Sequence, residues 1–274
     1  MTDLQDALIE QRDALSRLSF VNGPGERLAA LLALLLTPGS EPERRAWAEA
    51  TAGVAVAARL AADVERLTPS ARLPVFEALL ERSRSAALPE RQTLVETARG
   101  VMAADGQVSP LDRLRWLTLR HRLGEAPLAP PGAALGRRAG DMMGTAAAEF
   151  AILSAFLARI VPEAADDGGI GAAGQAWHGR ALAPWDSVLA PRGGAAALCR
   201  VPDGEQLRRA LRSVQGLSWM QRPVLLRAWI DALPAPGPAV LGQEACDALR
   251  LAATLLDAPL PPSLAARYTE PGWA

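Results

Sequence analysis

The chain contains no lysine; all 29 basic side chains among its 274 residues are arginine. That absence excludes every chemistry built on a primary amine: Schiff-base catalysis, a P-loop phosphate clamp and a lysine general base. Cysteine is scarce. Cys199 and Cys246 are the only two, with no CxxC pair, so there is no disulfide framework. A reducing compartment, the cytoplasm, is the expected setting. Histidine is reduced to His121 and His178, and no HExxH occurs, which excludes zinc peptidase chemistry of that type. No GxSxG occurs, and neither cysteine has a histidine near it in sequence. No recognisable catalytic constellation is visible, and the chain is not expected to be an enzyme. Charge of one sign is lacking too: the net charge is -1, so no global field draws the protein toward nucleic acid or acidic lipid. Aromatics make up 4% and β-branched runs are missing, which argues against a sheet.

Helical periodicity is what remains. Apolar residues recur at spacings of three and four through nearly every segment, so an all-α multi-helix bundle is expected. The acidic, amphipathic N-terminus, "MTDLQDALIEQRDAL", does not read as a signal peptide. The longest apolar stretch, "MGTAAAEFAILSAFLARIV" (143–161), carries Glu149 within it and Arg159 near its end. A charge at mid-span is costly, so this stretch reads as a buried core helix and no transmembrane segment is expected. Helices are predicted over 2–19, over an all-round apolar 26–36, from about Pro42 to Leu67, and over 204–215, 218–233 and 239–256. The expected organisation is an N-terminal helical bundle (1–67), a helical module (68–126) and a second helical domain (127–274), with "EAPLAPPGAALG" as linker.

The chain echoes itself. Residues from Arg91, "RQTLVETARGVMAADGQVSPLDRLRWLTLRHRLG", align with residues from Arg222, "RPVLLRAWIDALPAPGPAVLGQEACDALRLAATLLD". Leu94 and Val95 fall on Leu225 and Leu226, and Gly106 on Gly237. After one inserted residue Asp112 falls on Glu244, Leu117 on Leu249 and Leu123 on Leu255. Each copy reads as helix, glycine break, helix. In the second copy Pro236 stands where the first has Asp105.

The break in the first copy, "MAADGQVSPLD", reads as a hinge. Gly106 suits the left-handed residue that ends a helix. Val108 is placed to pack back on the preceding turn. Ser109 is a good N-cap, Pro110 suits the first helical position, and Asp112 completes an acidic capping box. The alternative is a cation site using Asp105 and Asp112, although a hard cation wants about six oxygens and few are offered.

"VMAADGQVSPLDRLRWLTLRHRLG" resembles the signature of tellurite-resistance-B-like (TerB-like) helical domains: Ala104, Asp105, Gly106 and Val108 match, with Asp112 where Glu is usual. "ERLAALLALLL", "ARLPVFEALLERSRSAALPE" and "RALRSVQGLSWMQRPVLLRAW" together resemble the cytosolic C-terminal region of proteobacterial membrane zinc metallopeptidases of the CAAX-protease type. The peptidase domain of that family is missing. The resemblance implies two related helix-hinge-helix (TerB-like) modules acting as an adaptor to a membrane-associated peptidase or another envelope complex. It also implies, as the alternative, a metal- or small-ligand-responsive sensor at Asp105 and Asp112.

In the helix from Pro110 to Leu123, Leu111, Leu114, Leu117 and His121 form one face, and Trp116, Leu119 and Leu123 a second, nearly opposite. Arg113 and Arg120 lie between them on one side, Arg115 and Arg122 on the other. Core packing of both faces, the second beneath the long helix after the linker, is the reading that apolar stripes favour. The functional reading is a groove for a protein partner with Trp116, Leu119 and Leu123 as its contacts and the four arginines as its rim. Arginines split between two sides do not form one basic stripe, so nucleic acid is not expected. "GGIGAAG" (168–174) contains GxGxxG but follows no strand; it reads as a small-residue segment that lets helices approach closely, and no cofactor is expected.

Overall fold

The structure is a computed structural model that describes residues 2–124, 139–165 and 167–273. All regular elements among the described residues are helical, as the periodicity predicts; none is a strand. The expected linker lies outside the described residues. The chain divides into two compact units. One comprises Met1–Val108, Arg115–Glu125 and Tyr268–Ala274; the other comprises Ser109–Leu114 and Ala126–Arg267.

In the first unit, α1 (Thr2–Ser19) matches the predicted 2–19. Arg17 ties it to the body by donating from Nε to both oxygens of Asp63 at 3.0 Å and from Nη2 to Oδ1 at 2.6 Å. Helix α2 (Pro24–Leu35) starts on Pro24 and is buried continuously from Ala29 to Leu35. Seven consecutive residues cover every side of a 3.6-residue helix, so α2 is central, and each buried leucine contributes roughly 1.5–3 kcal/mol. Around it stand α3 (Glu41–Ala50), α4 (Ala57–Glu65), α5 (Pro69–Ser83) and α6 (Leu88–Met102). Residues on both sides of position 67 therefore share one unit.

The single helix expected from Pro42 to Leu67 is two, α3 and α4. The Thr51 hydroxyl turns back on the Trp47 carbonyl at 2.8 Å, and Gly53, Val54 and Val56 are poor helix formers. The break lets both halves reach α2, where Trp47 Nε1 donates to the Ala29 carbonyl at 3.0 Å. Helix α5 continues through Pro74, which cannot donate to the Ser70 carbonyl. That carbonyl instead accepts the Thr269 amide at 3.1 Å. The tail is held further by Arg82, which donates to the Trp273 carbonyl at 3.2 Å and lies 4.3 Å from the centre of the Trp273 ring.

Helix α7 (Pro110–Leu123) begins in the range of the second unit and continues in that of the first. The second unit is organised on α8 (Ala139–Leu157), buried on nearly all sides from Ala146 onward. No helix among the described residues is long and apolar enough to cross a membrane. Helix α9 (Ala172–Leu182) packs on α8 and approaches the chain just after α8 at Gly174, and α10 (Asp186–Leu189) and α11 (Gly194–Leu198) follow as short turns. Helix α12 (Gly204–Gln215) packs along α8, with Arg209 reaching Glu149 at 3.4 Å. Helices α13 (Arg222–Asp231), α14 (Gln243–Leu255) and α15 (Pro262–Ala265) complete the unit.

The scarce aromatics concentrate in this core. Phe150 lies 5.1 Å from both Trp185 and Trp229, centroid to centroid. Trp177 Nε1 donates to the Trp229 carbonyl at 3.0 Å, Trp229 Nε1 to Ser154 Oγ at 2.8 Å, and Ser154 Oγ to the Phe150 carbonyl at 2.8 Å. The indole N–H groups of Trp177 and Trp229 are thus both satisfied, as burial in an apolar core favours.

Candidate interaction surface

The hinge is built from backbone hydrogen bonds. Gly106 has φ 79°, the left-handed conformation its position demands. Asp105 Oδ1 accepts the Gln107 amide at 2.8 Å. Ser109 Oγ accepts the Asp112 amide at 3.1 Å, while Asp112 Oδ2 accepts the Ser109 amide at 3.2 Å and its hydroxyl at 2.6 Å. This is the reciprocal capping box, with Asp in the place of Glu. Val108, expected to pack back, stands exposed instead. Both hinge carboxylates accept from groups of their own segment. Among the described residues no three His, Cys, Asp or Glu side chains gather where they could hold a metal ion.

The second copy keeps the turn without the acid. Gly237 has φ 81°, with Pro236 before it. Leu94, Val95, Leu117 and Leu123 are buried, as are their counterparts Leu225, Leu226, Leu249 and Leu255. The cap differs: Gly242 starts α14, and Glu244 is exposed.

On α7 both apolar faces are out of water. Leu119 is 0% exposed, and Leu111, Leu114, Leu117 and Leu123 are buried with it. The groove expected around Leu119 and Leu123 is therefore not an open surface; leucines on two opposed sides are stable where both sides are covered. Trp116 is half-buried, its indole N–H buried without a partner among the described residues, and the Arg120 guanidinium lies 4.9 Å from its ring centre. Arg113, Arg115 and Arg122 are half-buried, and Arg120 is exposed.

The open apolar surface lies elsewhere. Trp219 is 76% exposed, Met220 64% and Val224 56%. Trp219 and Met220 sit at the turn between α12 and α13, Val224 in the first turn of α13, and the turn is anchored. Gln221 Oε1 accepts the Ser218 amide at 3.1 Å and its hydroxyl at 3.0 Å. Arg222 donates to the carbonyls of Leu217 at 3.0 Å, Gln215 at 2.6 Å and Leu256 at 3.3 Å, and to Asp257 Oδ2 at 3.2 Å. Leu217, Leu225 and Leu226 are buried on either side of it. The turn thus holds a tryptophan and a methionine in water on a braced support. A helix running from 218 would place Trp219 seven residues before Leu226, on the same inward face. Because α13 starts at Arg222, its buried stripe does not extend back to Trp219.

His178 and Cys246 are buried, and Cys199 is half-buried. Burial lowers the pKa of His178, whose Nε2 lies 3.1 Å from the Ala151 carbonyl. Burial raises the Cys199 thiol; it also raises the Cys246 thiol, against the pull of Arg267 beside it. A thiol held protonated is a poor nucleophile. Compared with models of protein families, with curated proteins and with solved structures, the chain finds no match in any of the three.

Proposed function

We propose that this protein is a non-catalytic interaction and regulatory module that docks a protein partner through the Trp219–Met220 turn. The observation that carries this reading is a tryptophan and a methionine held exposed on a turn braced by Arg222. Trp, Met and Arg are the residue types enriched where proteins bury one another's surface. Val224 extends the apolar patch, and exposed Arg227, one helical turn further, serves as its rim. The partner is a protein with an apolar pocket. The TerB-like resemblance of residues 101–124, and that of other segments to the cytosolic part of membrane metallopeptidases, point to a membrane-bound complex as the assembly served. The cation-sensor reading at Asp105 and Asp112 has less to rest on, since both carboxylates already accept from their own segment.

The test is affinity capture from detergent-solubilised membranes and lysate, comparing the wild type with Trp219→Ala and Met220→Ser. Both variants are expected to keep their melting temperature, because exposed side chains change stability by less than about 0.5 kcal/mol. A stoichiometric partner is expected to be lost, since truncating an interface anchor costs about 2 kcal/mol or more. The same partner retained by both variants refutes the assignment of this surface.

A further inference from the structure

We propose that one face of α5 in the first unit is a peptide-binding site, filled here by the chain's own segment Tyr268–Trp273, and that it accepts the same segment from a second copy of this chain. The segment belongs to the first unit, yet none of it is helical. It is held at successive points along α5. The Thr269 amide donates to the Ser70 carbonyl at 3.1 Å, the acceptor that Pro74 leaves without its helical donor. The Thr269 hydroxyl lies 3.3 Å from Ser70 Oγ, which lies 3.2 Å from Thr68 Oγ1. Pro271 is buried. Arg82 then engages residue 273 twice: Nη2 donates to its carbonyl at 3.2 Å, and the guanidinium lies 4.3 Å from its ring centre. The bonds to main chain set the course of the peptide, and Pro271 and Trp273 supply the selectivity.

Reach makes that course extended. Ser70 and Arg82 lie about 18 Å apart along α5 at 1.5 Å per residue. The chain from 269 to 273 spans at most about 14 Å. The segment therefore runs stretched beside the helix, and the Arg82 side chain, leaning toward the helix N-terminus, closes the difference. The site also stands without its occupant. Arg82 Nη1 donates to the Ser19 carbonyl at 2.7 Å, so the end of α1 fixes the guanidinium independently of Trp273. The free Ser70 carbonyl is set by Pro74, within α5 itself. A second copy's segment meets identical partners, and exchanging an identical element sacrifices no contact. The point of departure is defined too. Arg267 donates to the carbonyls of Ala239 at 3.3 Å and Leu241 at 3.0 Å, all three within the second unit, so the exchangeable segment begins at Tyr268. Attachment in cis gives an effective concentration in the millimolar range, so exchange shows once cis pairing is disabled.

The experiment mixes two variants of the full chain. Trp273→Ala keeps the site and spoils the segment; Arg82→Gln spoils the site and keeps the segment. Sedimentation equilibrium, taken to millimolar protein, is expected to show a mixed dimer in the equimolar mixture that neither variant forms alone. Calorimetry with the capped peptide YTEPGW is expected to show binding to the Trp273→Ala chain at least about tenfold tighter than to the wild type, whose own segment competes in cis. The peptide YTEPGA is expected to bind at least about tenfold more weakly. If Arg82→Gln does not fold, the peptide titration decides by itself. A dimer made through the Trp219 turn would form in each variant alone. That result, no mixed dimer from two folded variants, no binding of YTEPGW to Trp273→Ala, or equal binding to the wild type each overturns the proposal.

Discussion

Replacing Gly174 by alanine tests how closely α9 approaches the chain just after α8. A Cβ at this position would stand 2.0 Å from the Ala158 carbonyl oxygen and 3.3 Å from Ile170 Cγ2. Ordinary contact begins at 3.4 Å, so the helix must retreat by more than an ångström. That movement is not free. Trp177 and His178, one turn further along α9, make buried bonds of 3.0 and 3.1 Å, and an ångström of retreat carries both beyond hydrogen-bond reach. Overpacking costs about 1–3 kcal/mol, and each polar group left unsatisfied about 1–3 kcal/mol. Helix propensity acts oppositely, favouring alanine over glycine by about 1 kcal/mol. The expected net loss, with both bonds broken, is about 2–8 kcal/mol. Urea unfolding followed by tryptophan fluorescence and far-UV circular dichroism reads it. Gly179, in the same helix, has nothing within 4 Å of its would-be Cβ, so Gly179→Ala is the control and should stabilise by about 0.5–1 kcal/mol. The two substitutions are therefore expected to have opposite signs. If Gly174→Ala is as stable as Gly179→Ala, the close approach of the two segments is refuted.

Three further outcomes concern the buried His178, the Ser109 cap and the Asp105 carboxylate. Burial holds His178 below its ordinary value of 6.5, so the unfolded chain binds its proton first as pH falls. Its stabilising contribution is complete above about pH 6.5 and is lost progressively below it, by at most about 1.4 kcal/mol per pH unit. Denaturation midpoints measured from pH 7 down to pH 5 should fall less steeply in His178→Gln; identical slopes would refute the assignment. At the hinge, Ser109→Ala should cost about 1 kcal/mol through loss of the cap. Asp105→Asn, with one exposed turn contact, should change stability by less than about 0.5 kcal/mol and leave melting in calcium or magnesium unaltered. A calcium-induced rise in melting temperature that Asp105→Asn abolishes would restore the sensor reading.

Features encoded within a few residues were legible in the amino-acid order. Helix α1 spans Thr2–Ser19 because apolar residues recur every three or four positions until Asn22 and Gly23 interrupt them. The hinge at Gly106 and the Ser109–Asp112 box follow from backbone geometry and side-chain reach within one turn. The small residues of 168–174 predicted a close helix approach, and Gly174 makes one. Periodicity shows that a residue lies on an apolar stripe, but not what covers that stripe or where it stops. Leu119, read from the sequence as a contact of an open groove or as core, is buried, and the open apolar surface lies at Trp219, which the sequence did not single out. The difference lies in where helix starts fall once distant segments have packed. The same holds for the break at Thr51, which lets two helices share α2, and for Pro74, whose freed Ser70 carbonyl is taken by Thr269. Such partners are far apart along the chain, and their choice depends on shape and hydrogen-bond satisfaction in three dimensions rather than on local order.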